Sequence, residues 1–292
     1  MKSSIVLSLL SSDQDFQILQ ASDARQAAAR NGLEVEILYA NNNSMLQVEQ
    51  IYKIIYGPED ARPAAIVVQS VGGEGLPRVA RDAVKEGIGW ILLNRDVAYI
   101  DALAAEYPKL PIAIVTADQR GVGHIQGRQF RALLPNGGSV LYIQGPSDTS
   151  AARQRLEGME ETIAGANIKV KVLTGEWTEA SGEEAVLWWL GRPSSEDFAV
   201  DLIAAQNDAM AVGARKAATA RRPAWMRLPF TGCDGLPDGG QRMVNRGELA
   251  ATVIVQPTAG AAIDLVAARV RGTAAASPRV VLPPSAYPAM QR

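Results

Sequence analysis

The sequence predicts an α/β fold of two doubly wound, parallel-sheet lobes. Short apolar, β-branched runs alternate with longer stretches of helical period along nearly the whole chain, the pattern of strands joined by helical crossovers. The candidate strands number ten, too many for an eight-stranded barrel. The 292 residues also exceed the usual size of one domain and suit two. A break at Thr116-Ala117-Asp118, where a strand ends and a Gly-rich helix start follows, divides them into two open sheets of about five strands each.

The strands are read at Ile5 to Leu10, Leu33 to Tyr39, Ala64 to Gln69, Ile88 to Asn94, Ile112 to Val115, Ser139 to Gln144, Ile168 to Leu173, Leu202 to Gln206, Leu228 to Thr231 and Ala250 to Val255. Helices fit between nearly all of them. In Phe16 to Arg30, residues Phe16, Leu19, Ala24, Ala27 and Ala28 share one face, and Asn31-Gly32 is a helix stop. Gly121 to Gly127 follows a strand and opens a helix, as a dinucleotide-binding loop does. Its spacing is G-x-G-x-x-x-G, however, and the next strand ends at Gln144 instead of an acidic residue, so it reads as tight packing at a helix start. Gly72-Gly73-Glu74-Gly75 lacks the Lys-Ser/Thr of a phosphate loop and reads as a flexible loop.

Composition narrows the function. Hydrophobic residues at 47% and charged residues at 21% leave little room for disorder. A net charge of -2, with no Lys/Arg block, gives no footprint for nucleic acid. Cys233 is the single cysteine, which excludes an intrachain disulfide and reads as a small buried hydrophobe. His124 is the single histidine, so His/Cys metal clusters are excluded by count and a catalytic triad has one candidate base. No run approaches the length of a membrane helix. Met1-Lys2-Ser3-Ser4 leads straight into Ile5 to Leu10, and the polar Ser11 to Asp15 follow without a small-x-small cleavage site. The expected location is periplasmic if an export signal was removed and cytoplasmic otherwise.

Open α/β sheets bind ligands at the carboxyl ends of their strands. Those positions hold Asp15 and Phe16, Gln69-Ser70, Asn94-Arg95, Gly145 to Ser150 with Arg153, then Trp177, Gln206-Asn207-Asp208, Asp234 and Gln256. Amides, carboxylates and guanidiniums form planar, often bidentate hydrogen bonds to hydroxyls, and aromatic rings cover the apolar face of a sugar. Each residue also has a plainer reading. Thr149-Ser150 and Asn207-Asp208 are ordinary helix caps, Arg95 or Arg153 alone a surface arginine, and Trp177 alone a loop or core aromatic. Their coincidence on one rim suits a polyhydroxylated ligand.

With these residues in view the chain resembles the type I periplasmic binding proteins, in the ribose/galactose-type branch that shares its fold with LacI-type effector domains. The resemblance covers nearly the whole chain and is carried by Gly145 to Gly158, Ala205 to Ala214, Cys233-Asp234-Gly235, and Gly247 to Thr252 followed by Gln256-Pro257. It implies two lobes joined by three crossovers, residues 1–117 with about 257–281 and residues 118–256 with about 282–292. A ligand would sit in the cleft between them and favour closure. Phe16 and Trp177 take the place of stacking aromatics, and Arg95 and Arg153 that of arginines gripping ring and hydroxyl oxygens, Arg153 being expected buried. Asn207, Asp234 and Gln256 become further hydrogen-bonding partners, with Asp15 and Asn94 beside them. Asn94 stands where the family often has Asp, and its amide is expected to offer the ligand one donor and one acceptor. Ser11 to Phe16 departs from the family's Asn-Pro-Phe type of loop.

The resemblance further implies a monosaccharide or related polyol as ligand, no cofactor, and a monomer that hands its closed form to a membrane permease, as in an ABC-type sugar transporter. A sugar sensor partnering a kinase, chemoreceptor or regulator is the alternative. The first strand starts by Ile5, leaving no room for the helix-turn-helix of a repressor. A glycoside-acting enzyme would need paired carboxylates, for which Asp15, Asp208 and Asp234 are the candidates.

Overall fold

The computed structural model describes residues 4–273 and 278–290. Met1, on which the reading of the compartment turns, lies outside them, as do residues 274–277 and 291–292 of the expected lobes. The strands are β1 (Ser4–Leu9), β2 (Glu34–Tyr39), β3 (Ala65–Val68), β4 (Gly89–Leu93), β5 (Ile112–Ala117), β6 (Gly138–Gln144), β7 (Ile168–Thr174), β8 (Leu202–Ala205), β9 (Phe230–Thr231), β10 (Thr252–Ile254), β11 (Arg279–Leu282) and β12 (Ser285–Tyr287). The helices are α1 (Asp15–Asn31), α2 (Ser44–Ile55), α3 (Pro77–Lys85), α4 (Tyr99–Glu106), α5 (Gln119–Leu133), α6 (Ser150–Ile163), α7 (Glu179–Leu190), α8 (Asp208–Arg221), α9 (Arg242–Asn245) and α10 (Ala259–Val270). None is long and apolar enough to cross a membrane among the described residues.

The chain divides into two compact units, the first Met1–Ala117 with Pro257–Leu282, the second Asp118–Gln256 with Pro283–Arg292. The first is built on a six-stranded sheet in the order β11-β5-β4-β3-β1-β2, parallel throughout. Its central strands are continuous apolar runs because both faces are covered. Ile5, Leu7 and Leu9 pack with Ala24 and Ala28 of α1 and Ile263 and Val266 of α10. Val6, Ile66, Trp90 and Leu92 pack on the other face with Ile51, Val84 and Leu103 of α2, α3 and α4.

The second unit holds a four-stranded parallel sheet, β7-β6-β8-β9, again with a core on each face. Its edge strand β7 alternates, with Lys169 and Lys171 exposed, a pattern that blunts edge-to-edge pairing. The glycines of the G-x-G-x-x-x-G segment lie inside α5 and serve packing. A Cβ on Gly123 would overlap the Arg155 carbonyl, and one on Gly158 would overlap the Arg120 carbonyl, so α5 and α6 meet backbone to backbone.

The expectation of five strands in each sheet is corrected in two ways. β11 joins the first sheet beside β5 and makes it six-stranded. β10 is linked to the β9 end by isolated parallel bridges, Thr231 to Ala251 and Asp234 to Ile254, and pairs antiparallel with β12, so the second unit is not wholly parallel. The strand expected at Leu228 shrinks to Phe230–Thr231 because a 3-10 turn occupies Pro223–Arg227. On α1, Phe16 and Leu19 are only half-buried, and Gln17 and Gln20 are buried instead. Both glutamines satisfy backbone or side-chain groups at the sheet end, as described next.

Candidate ligand-binding site

In the first unit, the loops at the carboxyl ends of β1, β3 and β4 are tied together by buried amides. Gln20 accepts the Thr258 and Ala259 N–H groups at 2.8 and 2.9 Å, and donates to Thr258 Oγ1 at 3.0 Å and Gln69 Oε1 at 3.2 Å. Gln47 donates to Ser8 Oγ and to the Gln69 carbonyl, both at 3.0 Å, and accepts the Val71 N–H at 2.9 Å. Gln17 accepts the Leu10 N–H at 3.2 Å. These bonds satisfy polar groups that would otherwise be buried unpaired.

Arg95 is buried and spans two of the loops, donating to the Ser70 carbonyl at 2.7 Å and the Asn94 carbonyl at 3.1 Å. Asn94, at φ 51°, spends its amide inside the unit: Nδ2 donates to Thr258 Oγ1 at 3.2 Å and Oδ1 accepts the Ala117 N–H at 3.3 Å. The donor and acceptor expected to face a ligand are therefore both engaged by protein, because the left-handed backbone turns the short side chain back onto β5 and the start of α10. Asp15 is exposed and Phe16 half-buried, at the first turn of α1.

In the second unit, Trp177 has φ 64°, and its ring lies on Gly145, where any Cβ would overlap it. The Arg155 guanidinium stands 5.5 Å from the Trp177 ring centroid. Asn207 is the N-cap of α8, accepting the Met210 N–H at 2.8 Å, and its amide donates to the Trp177 carbonyl at 2.8 Å. Thr149 caps α6 through the Ala152 N–H. Trp177, Asn207, Arg155 and the loop after β6 are thus one assembly.

Arg153 is exposed, and donates to the Asp148 and Ser147 carbonyls at 2.8 and 3.3 Å. The expectation of a buried Arg153 is corrected: the buried stripe of α6 runs through Ala151, Ala152, Arg155, Gly158 and Met159, and Arg153 lies off it. Arg155 is the buried arginine, donating to Gln119 Oε1 at 2.8 Å and to the Gln206 carbonyl. Gln206 in turn accepts the Gly145 N–H at 3.0 Å and donates to the Ala152 carbonyl at 2.9 Å. Gln256 is exposed, and Asp234 is half-buried at φ 105°. Burial, and then the nearby Asp148, raise the Glu176 carboxyl above its ordinary range. Burial pushes the Cys233 thiol up to about 12, which keeps it from ionising near neutral pH.

The structure thus groups Asn94 with Arg95 in the first unit and Trp177 with Asn207 in the second. Gln20, Gln47, Thr258 and Arg155 also stand at these loop ends and went unread in the sequence, whereas Gln206 was placed there with Asn207 and Asp208. Glutamine at helical positions reads as surface, although Gln17 and Gln20 fall in register with Ala24, Ala27 and Ala28.

The family model for the periplasmic binding protein domain matches residues 5–274. The chain belongs to this family. Among proteins of known role, the ribose import binding protein of Escherichia coli (strain K12) is 24% identical over 258 residues, 88% of this chain and 80% of that protein. Among solved structures, the Caulobacter myo-inositol binding protein bound to myo-inositol superposes with a TM-score of 0.80 at 24% identity, covering 97% of this chain and 92% of that one. The binding protein of the arabinose ABC transporter from Shewanella sp. ANA-3 superposes with a TM-score of 0.82 at 21% identity, covering 95% and 89%. The family fold of two α/β units with parallel sheets is the one described above.

Proposed function

We propose that this chain binds a monosaccharide or related polyol without chemical change, as the substrate-binding component of an ABC-type sugar transporter acting with a membrane permease in the periplasm. Asp15, Phe16 and Arg95 are its contacts in the first unit, with Asn94 holding the loop that carries Arg95, and Arg153, Trp177, Asn207, Asp234 and Gln256 are those in the second. The observation that carries this reading is the Trp177 assembly. A half-buried indole, backed by Gly145 and held through its carbonyl by Asn207, offers a rigid apolar face with the guanidinium of Arg155 5.5 Å from its ring centroid. A sugar ring needs that pairing of flat apolar surface and fixed polar groups. Family membership and the ribose-binding relative support the ligand class.

The test is a thermal-shift panel of pentoses, hexoses and polyols followed by calorimetry, run beside a screen of chromogenic glycosides. A saturable rise in melting temperature with at least one sugar or polyol, and no glycoside cleavage, is the expected result. Binding to none of them, or turnover of a glycoside, would overturn it.

A further inference from the structure

Asp208, the first residue of α8, is buried, and its carboxyl is enclosed by backbone. Oδ2 accepts the Gly235 N–H at 2.8 Å, and Oδ1 pairs with the Thr252 hydroxyl at 2.7 Å. Its own N–H donates to the Cys233 carbonyl at 2.6 Å. A Cβ on Gly232 would overlap Oδ1 and one on Gly240 would overlap Oδ2, so the space around the carboxyl exists only because both are glycine.

What this enclosure holds is the turn Cys233-Asp234-Gly235. Asp234 sits at φ 105° and Gly235 at φ 58°. Non-glycine residues rarely adopt the first of these, and such a conformation persists only where the surroundings over-determine it. From the β10 side the turn is fixed by the Asp234 N–H on the Val253 carbonyl at 2.9 Å and the Val255 N–H on the Asp234 carbonyl at 3.1 Å. From the α8 side it is fixed by Asp208.

We propose that Asp208 is a positioning residue, whose hydrogen bonds to Gly235 and Thr252 hold Asp234 in the conformation that meets the sugar or polyol. This rests on the proposed function, in which Asp234 is a ligand contact. The groups facing the Asp208 carboxyl are Cys233 and Asp234 on the turn and Arg155 on α6. Burial first, then the Asp234 charge, push the carboxyl up to about 8, against the opposing pull of Thr252, Gly235 and Arg155. The carboxyl accepts on both sides, the Gly235 N–H on Oδ2 and the Thr252 hydroxyl on Oδ1. An asparagine amide keeps the acceptor for the Gly235 N–H and turns its NH₂ on the Thr252 oxygen, which accepts it once the hydroxyl hydrogen rotates away, whereas alanine offers neither.

The experiment compares the parent with Asp208→Asn and Asp208→Ala. It reads hydrogen exchange at the Gly235 amide at pH 7, and calorimetric affinity for whichever of D-ribose, D-allose, xylitol and myo-inositol binds the parent tightest. In Asp208→Ala the Gly235 amide should exchange faster and affinity should fall, each by about 10- to 100-fold, while Asp208→Asn stays within about threefold of the parent. From pH 7 to 9 the parent's affinity should decline as Asp208 ionises beside Asp234, and that of Asp208→Asn should stay flat. Parent-like exchange and affinity in Asp208→Ala, or equal damage in both variants, would overturn the proposal. If Asp208→Ala does not fold, the pH profiles decide, and a decline in Asp208→Asn matching the parent's overturns it. If none of the four probes binds the parent, the proposed function fails on its own, and the Gly235 exchange rates still decide whether Asp208 holds the turn.

Discussion

One asparagine joins a helix start to a strained aromatic: Asn207 accepts the Met210 N–H and donates to the Trp177 carbonyl, both at 2.8 Å. Removing the side chain removes an N-cap and a half-buried hydrogen bond together. Asn207→Ala should therefore lose about 1–3 kcal/mol of stability. Asn207→Ser keeps a cap acceptor and loses the donor to Trp177 without setting a carboxylate against that carbonyl, so it should lose roughly half as much. Urea denaturation of the three proteins measures both. Equal losses in the two variants would mean that the Trp177 contact carries all the stability and the cap none.

The contact of α5 with α6 makes a sharper claim. Gly123→Ala places a methyl against the Arg155 carbonyl, which is helix backbone and cannot swing aside, so it should cost about 1–3 kcal/mol or more. Gly191, at the end of α7, has nothing closer than 3.6 Å to an added Cβ and a φ of -75°, so Gly191→Ala should stay within about 0.5 kcal/mol of the parent. Thermal unfolding of the pair is the measurement, and similar melting temperatures for both variants would contradict the close approach.

Two arginines two residues apart should behave oppositely. Arg153→Ala removes an exposed guanidinium, so melting should hardly change while sugar or polyol affinity falls roughly 10- to 150-fold. Arg155→Ala strips partners from Gln119 and the Gln206 carbonyl in the interior and should cost about 2–4 kcal/mol of stability. Calorimetry and denaturation on both variants separate the roles. Parent-like binding by Arg153→Ala would remove it from the site.

Stability should also depend on Asp208 in a defined direction. Its carboxyl ionises at about 8 in the folded protein against an ordinary value of 3.8, so between these pH values the folded state holds the extra proton. Stability from this group is therefore greatest below pH 3.8, erodes as pH rises toward 8 and is level above it. Asp208→Asn has no such dependence. Its melting temperature relative to the parent should climb from pH 5 to pH 8 and then flatten, and a constant difference across that range would show that Asp208 does not titrate there.

The central strands were legible because they are short β-branched runs buried on both faces, as in β1 and β5, and the edge strands β2 and β7 because their apolar residues alternate with charged ones. β11 was not, since its four residues alternate between exposed and half-buried on a sheet edge and follow Pro278. β12, at three residues, is shorter than any periodicity can reveal. At the site, Trp177 and Asn207 could be read from the rule that parallel strands present ligands at their carboxyl ends. Arg155 could have been found too. Residues 151, 155 and 159 share a helix face at four-residue spacing, and Arg153 is turned away from it by two steps of about 100°. The roles of Gln20, Gln47 and Asp208 lie in bonds to backbone far away in sequence, which no local pattern encodes.

The first unit's discontinuity has a consequence for synthesis. β11 closes the β5 edge, and α10 covers Ala24 and Ala28 of α1, yet both are translated only after the whole of 118–256. At about 5–20 residues per second, the emerging chain carries an open strand edge and an uncovered apolar helix face for roughly ten to thirty seconds. The second unit waits as well, for β12 to pair with β10. Each unit therefore gains its last strand only when residues 279–287 have been made, and nascent-chain chaperones have that interval in which to cover the open edge and the bare helix face.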